Sequence, residues 1–168
     1  KIIHTIFKTP ARSIKIEFQG GEPLVNFEIV KYIILYAKKL NLLYKKRIEF
    51  VVCTNLSLFD EEIIKFFKNN NIAISTSLDG PEHIHNFNRP ITGQNSYQIF
   101  CEKLDLIKKY IDIERVSALM TTTERSIGNF EAIIDEYIER GFHSIFFRIL
   151  NPYGLAKNKL FEIGYTVE

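Results

Sequence analysis

The sequence has no apolar run approaching the roughly 18 residues a membrane-spanning helix requires, and its first residues carry no secretory leader pattern. Cysteine is scarce. Cys53 and Cys101 are the only two. They lie far apart on different predicted elements, which excludes a disulfide framework and supplies no cluster of metal ligands. An excess of either charge is also lacking: 22 Lys and Arg against 20 Asp and Glu leave a formal +2. That is too little to argue for nucleic acid. The one short basic run, Lys45-Lys46-Arg47, reads as a solvated loop rather than a phosphate track. The expectation is therefore a cytoplasmic protein with no nucleic-acid partner and no membrane partner.

What is present describes a folded globular chain. At 168 residues it fits one domain and can bury a sizeable core. A composition of 46% hydrophobic and 25% charged residues, with 14 Phe and 8 Tyr, is far from that of a disordered chain. Both cysteines are expected to behave as core residues. The sequence opens on Lys1 rather than Met and is expected to be a piece of something longer.

Residues 1–12 read weakly and receive no element. Ile14 to Phe18 is strand-like and stops at Gln19-Gly20-Gly21-Glu22-Pro23-Leu24. Two glycines at a strand's end let the backbone approach a ligand closely, and Glu22 adds a carboxylate able to accept from an ammonium group. Asn26 is expected to cap a helix with Phe27, Val30, Ile33, Ile34, Ala37 and Leu40 on one face, ending near Asn41. The β-branched run Ile48 to Val52 is the second strand, leaving at Thr54-Asn55. Asp60 caps the next helix, which Asn69-Asn70-Asn71 ends.

Ile72 to Leu78 is a third strand with the exit Asp79-Gly80-Pro81. A long polar loop, Pro81 to Asn95, follows with His83, His85, Asn86, Asn88 and Arg89; loops of this length are often functional. Two histidines without further Cys, Asp or Glu at ligand spacing make no metal site. Ser96 is expected to cap a third helix. Arg115 to Met120 is the fourth strand, leaving at Thr121 to Thr123. A helix to about Arg140 stops at Gly141, and Ser144 to Leu150 is the fifth strand, ending in Asn151-Pro152-Tyr153-Gly154.

Strict alternation of strand and helix implies parallel strands joined by right-handed crossovers. The strands read as continuous apolar runs, as expected when both faces are covered. In an open sheet or a barrel alike, the polar exits gather on one rim, where ligands bind. That rim is the candidate site.

Three of these exits, Phe18 to Leu24, Thr54-Asn55, and Ser77 to Pro81 with His85 and Arg89 downstream, together resemble the radical S-adenosylmethionine superfamily, in its peptide- and protein-maturing branch. The resemblance covers roughly residues 14–157. Within the branch, Ser75 to Pro81, Ala118 to Thr123, and Ile145 to Arg148 running into Pro152-Tyr153-Gly154 are most similar to the radical maturases of His-Xaa-Ser peptide systems.

The resemblance implies an α/β fold, part of a (β/α)6 partial TIM barrel. It assigns residues 1–157 to a core domain lacking its first strand and cluster loop, and 158–168 to the start of a following segment. It further implies a [4Fe-4S] cluster and S-adenosylmethionine at the rim, and a 5′-deoxyadenosyl radical that abstracts hydrogen from a peptide or small protein substrate. By motif, Gly20, Gly21 and Glu22 would hold the cofactor's amino group, with Asn55 beside them. Ser77 would face its ribose or carboxylate, and Arg89 would pair with the carboxylate. The planar fork of an arginine suits that role.

The chain departs from the family in one large respect. The family's Cys-x3-Cys-x2-Cys loop is not in this sequence, so the 168 residues alone are expected to be inactive, as a fragment of an enzyme. A smaller departure is Leu56, where many members have Gly; Leu resists φ > 0, which bears on the local turn but not on the proposed cofactor contacts. Two other readings stay open: a degenerate barrel that binds a peptide or partner without catalysis, and an ordinary metabolic enzyme using Glu22 and Asp79 as acid and base. The residues leave the peptide substrate, the bond formed and the oligomeric state open.

Overall fold

In the computed structural model, which describes residues 1–151, 153 and 155–165, five strands form one parallel sheet in the order β1-β2-β3-β4-β5. The elements, in chain order, are α1 (Ile2–Phe7), β1 (Ser13–Phe18), α2 (Phe27–Tyr44), β2 (Arg47–Cys53), α3 (Glu61–Asn70), β3 (Ile72–Ser77), α4 (Glu82–Asn88), α5 (Ser96–Lys108), β4 (Val116–Thr121), α6 (Phe130–Glu139), β5 (Phe146–Arg148) and α7 (Leu155–Ile163). The sheet curls into a half-barrel, the partial TIM-barrel architecture expected from the alternation. Among the described residues no helix is long and apolar enough to cross a membrane.

The two faces of the sheet meet different surroundings. Ile14 and Ile16, Phe50 and Val52, Ile72 and Ile74, and Val116, Ala118 and Met120 point outward. They pack under Val30 and Ile34 of α2, Ile64 and Phe67 of α3, Phe100 and Leu104 of α5, and Ile133 of α6. The alternate residues, among them Lys15, Glu17, Cys53, Ser75, Ser77, Ser117, Leu119 and Thr121, lie on the concave face and are half-buried or exposed, with Val51 of β2, 6% exposed, as an exception. The expectation that both faces are covered is therefore corrected. Burial follows period 2 because only the helical side is packed.

Several boundaries also differ from expectation. Residues 2–7, left without an element, form a short helix. The helix after Gly-Gly begins with a 3-10 turn, Pro23–Asn26, capped by the Glu22 carboxylate rather than by Asn26. It runs on to Tyr44, because nothing between Asn41 and Tyr44 interrupts it until Lys45 takes the left-handed conformation (φ 51°). The stretch expected as a long loop contains α4. Asn95, one residue earlier than expected, caps α5 through the Gln98 N–H, and the Ser96 hydroxyl donates to Asn86 instead. Asp60 caps α3 as expected, accepting the Ile63 N–H at 2.8 Å. Of the β5 exit, Pro152 and Gly154 lie outside the described residues, and the domain boundary expected at residue 157 falls within α7.

Leu56 resolves a competition. It takes φ 67°, a conformation costing a residue with a β-carbon roughly 1–2 kcal/mol, yet its side chain is fully buried at 0% exposure. Removing a leucine from water contributes about 2–3 kcal/mol, so burial wins and the turn keeps the geometry a glycine would give. The Leu56 N–H donates to Thr54 Oγ1 at 3.1 Å, holding the turn locally. Leu56→Ala is expected to destabilise the fold by about 3 kcal/mol. Leu56→Gly is expected to cost about 1 kcal/mol less, because it relieves the left-handed strain. Urea unfolding of both variants checks this; a glycine variant less stable than the alanine one would show that the backbone is unstrained.

Candidate functional site

All five strands end on the same rim, and there the concave face opens into a cleft of about 710 Å³ lined by residues from each of the five. The β1 exit contributes Gln19, Gly20 and Gly21, and the β2 exit Cys53, Thr54 and Asn55. Ser75 and Ser77 come from β3, Leu119 and Thr121 from β4, Arg148 from β5, and Arg89 from the end of α4. Gly20 has φ 141°, a conformation open to glycine and resisted by other residues. A β-carbon built at either Gly20 or Gly21 would meet nothing within 4 Å, so the glycines leave bare main chain at the cleft wall.

Of the six residues expected to bind cofactor, the structure brings five to the cleft: Gly20, Gly21, Asn55, Ser77 and Arg89. Glu22 stands just behind them as a clasp. Its Oε1 accepts the Leu24 N–H at 3.1 Å and its Oε2 accepts the Asn55 N–H at 2.8 Å, tying the first strand exit to the second. Each oxygen keeps a lone pair for another donor. Asn55 Oδ1 accepts from the Ser57 N–H and hydroxyl at 2.9 and 2.7 Å, fixing the loop below.

The third strand exit is the most tightly held. Asp79 is 1% exposed. Its Oδ2 accepts from Arg89 Nε at 2.8 Å, while Oδ1 accepts from Arg89 Nη2 at 3.2 Å and from the Thr121 N–H at 2.9 Å. Gly80 follows at φ 122°, where a β-carbon would lie 2.6 Å from Ile133 of α6. Tyr137 of α6 donates its hydroxyl to the Leu78 carbonyl at 2.7 Å. Asp79 and Glu22 are thus occupied in holding the rim, not poised as an acid and base.

Neither α4 histidine enters the cleft. His83 is exposed, and His85 is buried against Phe100 and Tyr97. His85 Nδ1 accepts the Asp79 N–H at 3.3 Å, which requires an unprotonated ring nitrogen. Burial pushes its pKa down to about 4, with Asp79 opposing and Arg89 reinforcing the shift. Among the described residues, no three His, Cys, Asp or Glu side chains group closely enough to hold a metal ion.

Sequence reasoning missed Glu17, Cys53, Ser75 and Arg148 as cleft residues. Cys53, expected in the core, is half-buried on the concave face and donates to Glu17 Oε1 at 3.1 Å. Burial and the Glu17 carboxylate push its thiol up to about 11, so it is a neutral donor and not a thiolate nucleophile. Cys101, by contrast, packs against the core on α5. Parity along the strands was the available signal, since Glu17, Cys53 and Ser75 all alternate with outward apolar residues.

A family model described as the Radical SAM superfamily matches residues 5–137. The chain is 30% identical over 141 residues to an uncharacterized protein of Methanocaldococcus jannaschii, covering 83% of this chain and 47% of that one. It is 30% identical over 147 residues to a cysteine-type anaerobic sulfatase-maturating enzyme of Clostridium perfringens, covering 84% of this chain and 38% of the enzyme. It therefore spans less than half the length of these relatives. Among solved structures it superposes on native anSMEcpe with bound AdoMet and Kp18Cys peptide with a TM-score of 0.79 and 27% identity, over 90% of this chain and 42% of that one.

The low pKa of His85 makes a stability prediction. The unfolded chain protonates this ring near the ordinary 6.5 and the folded chain only near 4. The stabilisation is therefore complete above pH 6.5 and is lost as pH falls towards 4, by about 3 kcal/mol. Between pH 7 and pH 4 the native chain should lose that much more unfolding free energy than His85→Asn; parallel curves would refute the assignment.

Proposed function

The chain belongs to the radical SAM superfamily, and from that premise we propose that it is the cofactor-holding core of a peptide- or protein-modifying radical S-adenosylmethionine enzyme. The observation that carries this reading is the rim cleft itself. Bare main chain at Gly20 and Gly21 and the guanidinium of Arg89 line it together, with the hydroxyls of Ser75, Ser77 and Thr121 alongside. It is supported by the likeness to a protein solved with both AdoMet and a peptide.

The residues fit S-adenosylmethionine. A methionyl ammonium needs acceptors, which carbonyls of the β1 exit and the free lone pairs of Glu22 provide, with Asn55 closing that side. A carboxylate needs donors, which Arg89 provides through charge-assisted hydrogen bonds. The Ser77 hydroxyl, which makes no hydrogen bond to another described side chain, serves the ribose or the carboxylate. A volume of about 710 Å³ lies within the usual range of roughly 300–1,000 Å³ for small-molecule sites.

The residues do not fit a [4Fe-4S] cluster. Its thiolate ligands are not supplied by Cys53, hydrogen-bonded to Glu17, and Cys101, packed on α5. In this reading S-adenosylmethionine, when bound, would supply the hydrogen-abstraction chemistry, and Gly20, Gly21, Glu22, Asn55, Ser77 and Arg89 are the residues that would hold it. This chain's own part is to hold the cofactor's polar ends, and to leave the polar concave face open to a peptide. The core spans residues 1–157, and the placement is cytoplasmic. A second reading, a barrel that binds peptide without catalysis, draws on one observation: only two cysteines are present.

Glu22→Gln and Arg89→Ala are each expected to weaken S-adenosylmethionine binding by about tenfold, or ~1.4 kcal/mol, measured by calorimetry. Unchanged affinity in both would remove the assignment of the cleft. Anaerobic reconstitution of the 168-residue chain with iron and sulfide is expected to yield no stable [4Fe-4S] absorption band and no stoichiometric iron. A stable cluster would show that the cysteine argument is wrong.

A further inference from the structure

Arg89 reaches the cleft from the last turn of a short helix, with its side chain 32% exposed. A free arginine there would lose rotamer entropy on meeting a ligand. Asp79 removes that freedom in advance. The pair is an unequal one: the carboxylate is 1% exposed while the guanidinium opens to the cleft. Burying an ion pair is weak support for stability, since desolvation offsets much of the attraction, so its geometry asks for another explanation.

The carboxylate is itself immobilised. The Thr121 N–H binds Oδ1 from β4, and the Asp79 main-chain N–H binds His85 Nδ1 on α4. A carboxylate fixed from two elements holds Arg89 by Nε and Nη2, one edge of the planar fork. Both Nη1 hydrogens and the outer Nη2 hydrogen are left over, and one Nη1 hydrogen with the outer Nη2 hydrogen forms the end-on edge of the fork. That edge is suited to a second carboxylate, taken in the bidentate manner.

We propose that Asp79 is a positioning residue, which acts through Arg89 by fixing the guanidinium so that its outer edge receives a ligand carboxylate in the cleft. The proposal rests on the reading of the cleft as an S-adenosylmethionine site, but it makes one claim independent of any ligand: without the Asp79 charge, Arg89 is released. It also separates Arg89 from Arg148, the other cleft guanidinium. Arg148 neighbours Thr121 across the β4–β5 ladder, and its side chain pairs with no other described residue.

The test uses the full chain, with Asp79→Asn as the main variant. Arg89→Gln serves as a second variant in case the first does not fold, which circular dichroism reports. Two ligands are compared by calorimetry: S-adenosylmethionine and its decarboxylated analogue. The native chain is expected to prefer the first by about tenfold. Asp79→Asn should cut that preference to about twofold while leaving the affinity for the analogue unchanged. The double variant should discriminate no less than Arg89→Gln alone, because residues acting as one unit are not additive. In nitrogen-15 spectra, the Arg89 Nε–H resonance should move to the position of a free arginine in Asp79→Asn without any ligand.

Equal weakening of both ligands would make Asp79 merely structural and overturn the proposal, as would an unmoved Arg89 resonance. Loss of discrimination in Arg148→Ala but not in Asp79→Asn would transfer the role to Arg148. If the native chain binds neither ligand while the resonance shifts as expected, the restraint on Arg89 stands. The cofactor reading of the cleft, and the carboxylate role with it, then fall.

Discussion

Parallel strands joined by helical crossovers must all leave the sheet at the same edge, and in this chain that constraint places everything of chemical interest. It brings residues distant in sequence, from Gly20 to Arg148, to one rim without any of them needing to be adjacent along the chain. In this chain the crossovers cover one face of the sheet with helices and leave the other largely open. The core then has to be built entirely on the helical side, and the concave side can carry Glu17, Cys53, Ser75, Ser77 and Thr121 at little cost to burial.

The rim gains its rigidity from side chains that bridge neighbouring strand exits. Glu22 joins the first exit to the second through the Asn55 N–H, and Asp79 joins the third to the fourth through the Thr121 N–H. Both are carboxylates accepting main-chain donors, an arrangement that fixes loops whose backbone would otherwise be satisfied only by water. The bridges explain why acidic residues of the motifs face away from open solvent. They brace the cleft, which main chain, hydroxyls and Arg89 line.

The order of the elements was legible in the sequence because hydrophobic periodicity and Gly, Pro and Asn stops are local signals. Asp60 before α3 and Asn71 after it were found that way. The fault lines were also local. The α2 terminus was misplaced because Leu42-Leu43-Tyr44 extend the helix with exposed apolar residues, and α4 was hidden because its short, polar sequence has no periodicity to show. Of the cleft lining, Gly20, Gly21, Asn55, Ser77 and Arg89 had been named through motif resemblance. The inward residues Glu17, Cys53 and Arg148 were not, since which parity of a strand faces the cleft depends on how the sheet curls.

By itself, the sequence determined the strand and helix alternation, the collection of polar exits on one rim and the absence of a three-cysteine loop, all of which follow from residue identity and spacing. Only the tertiary structure decided that Leu56 would accept a left-handed backbone, that Cys53 would face the cleft rather than the core, and that Asp79 would hold Arg89. Each of these outcomes is a balance between groups far apart in the chain. Burial of a side chain, the reach of a carboxylate and the curvature of a sheet acquire values only when the distant partners are in place.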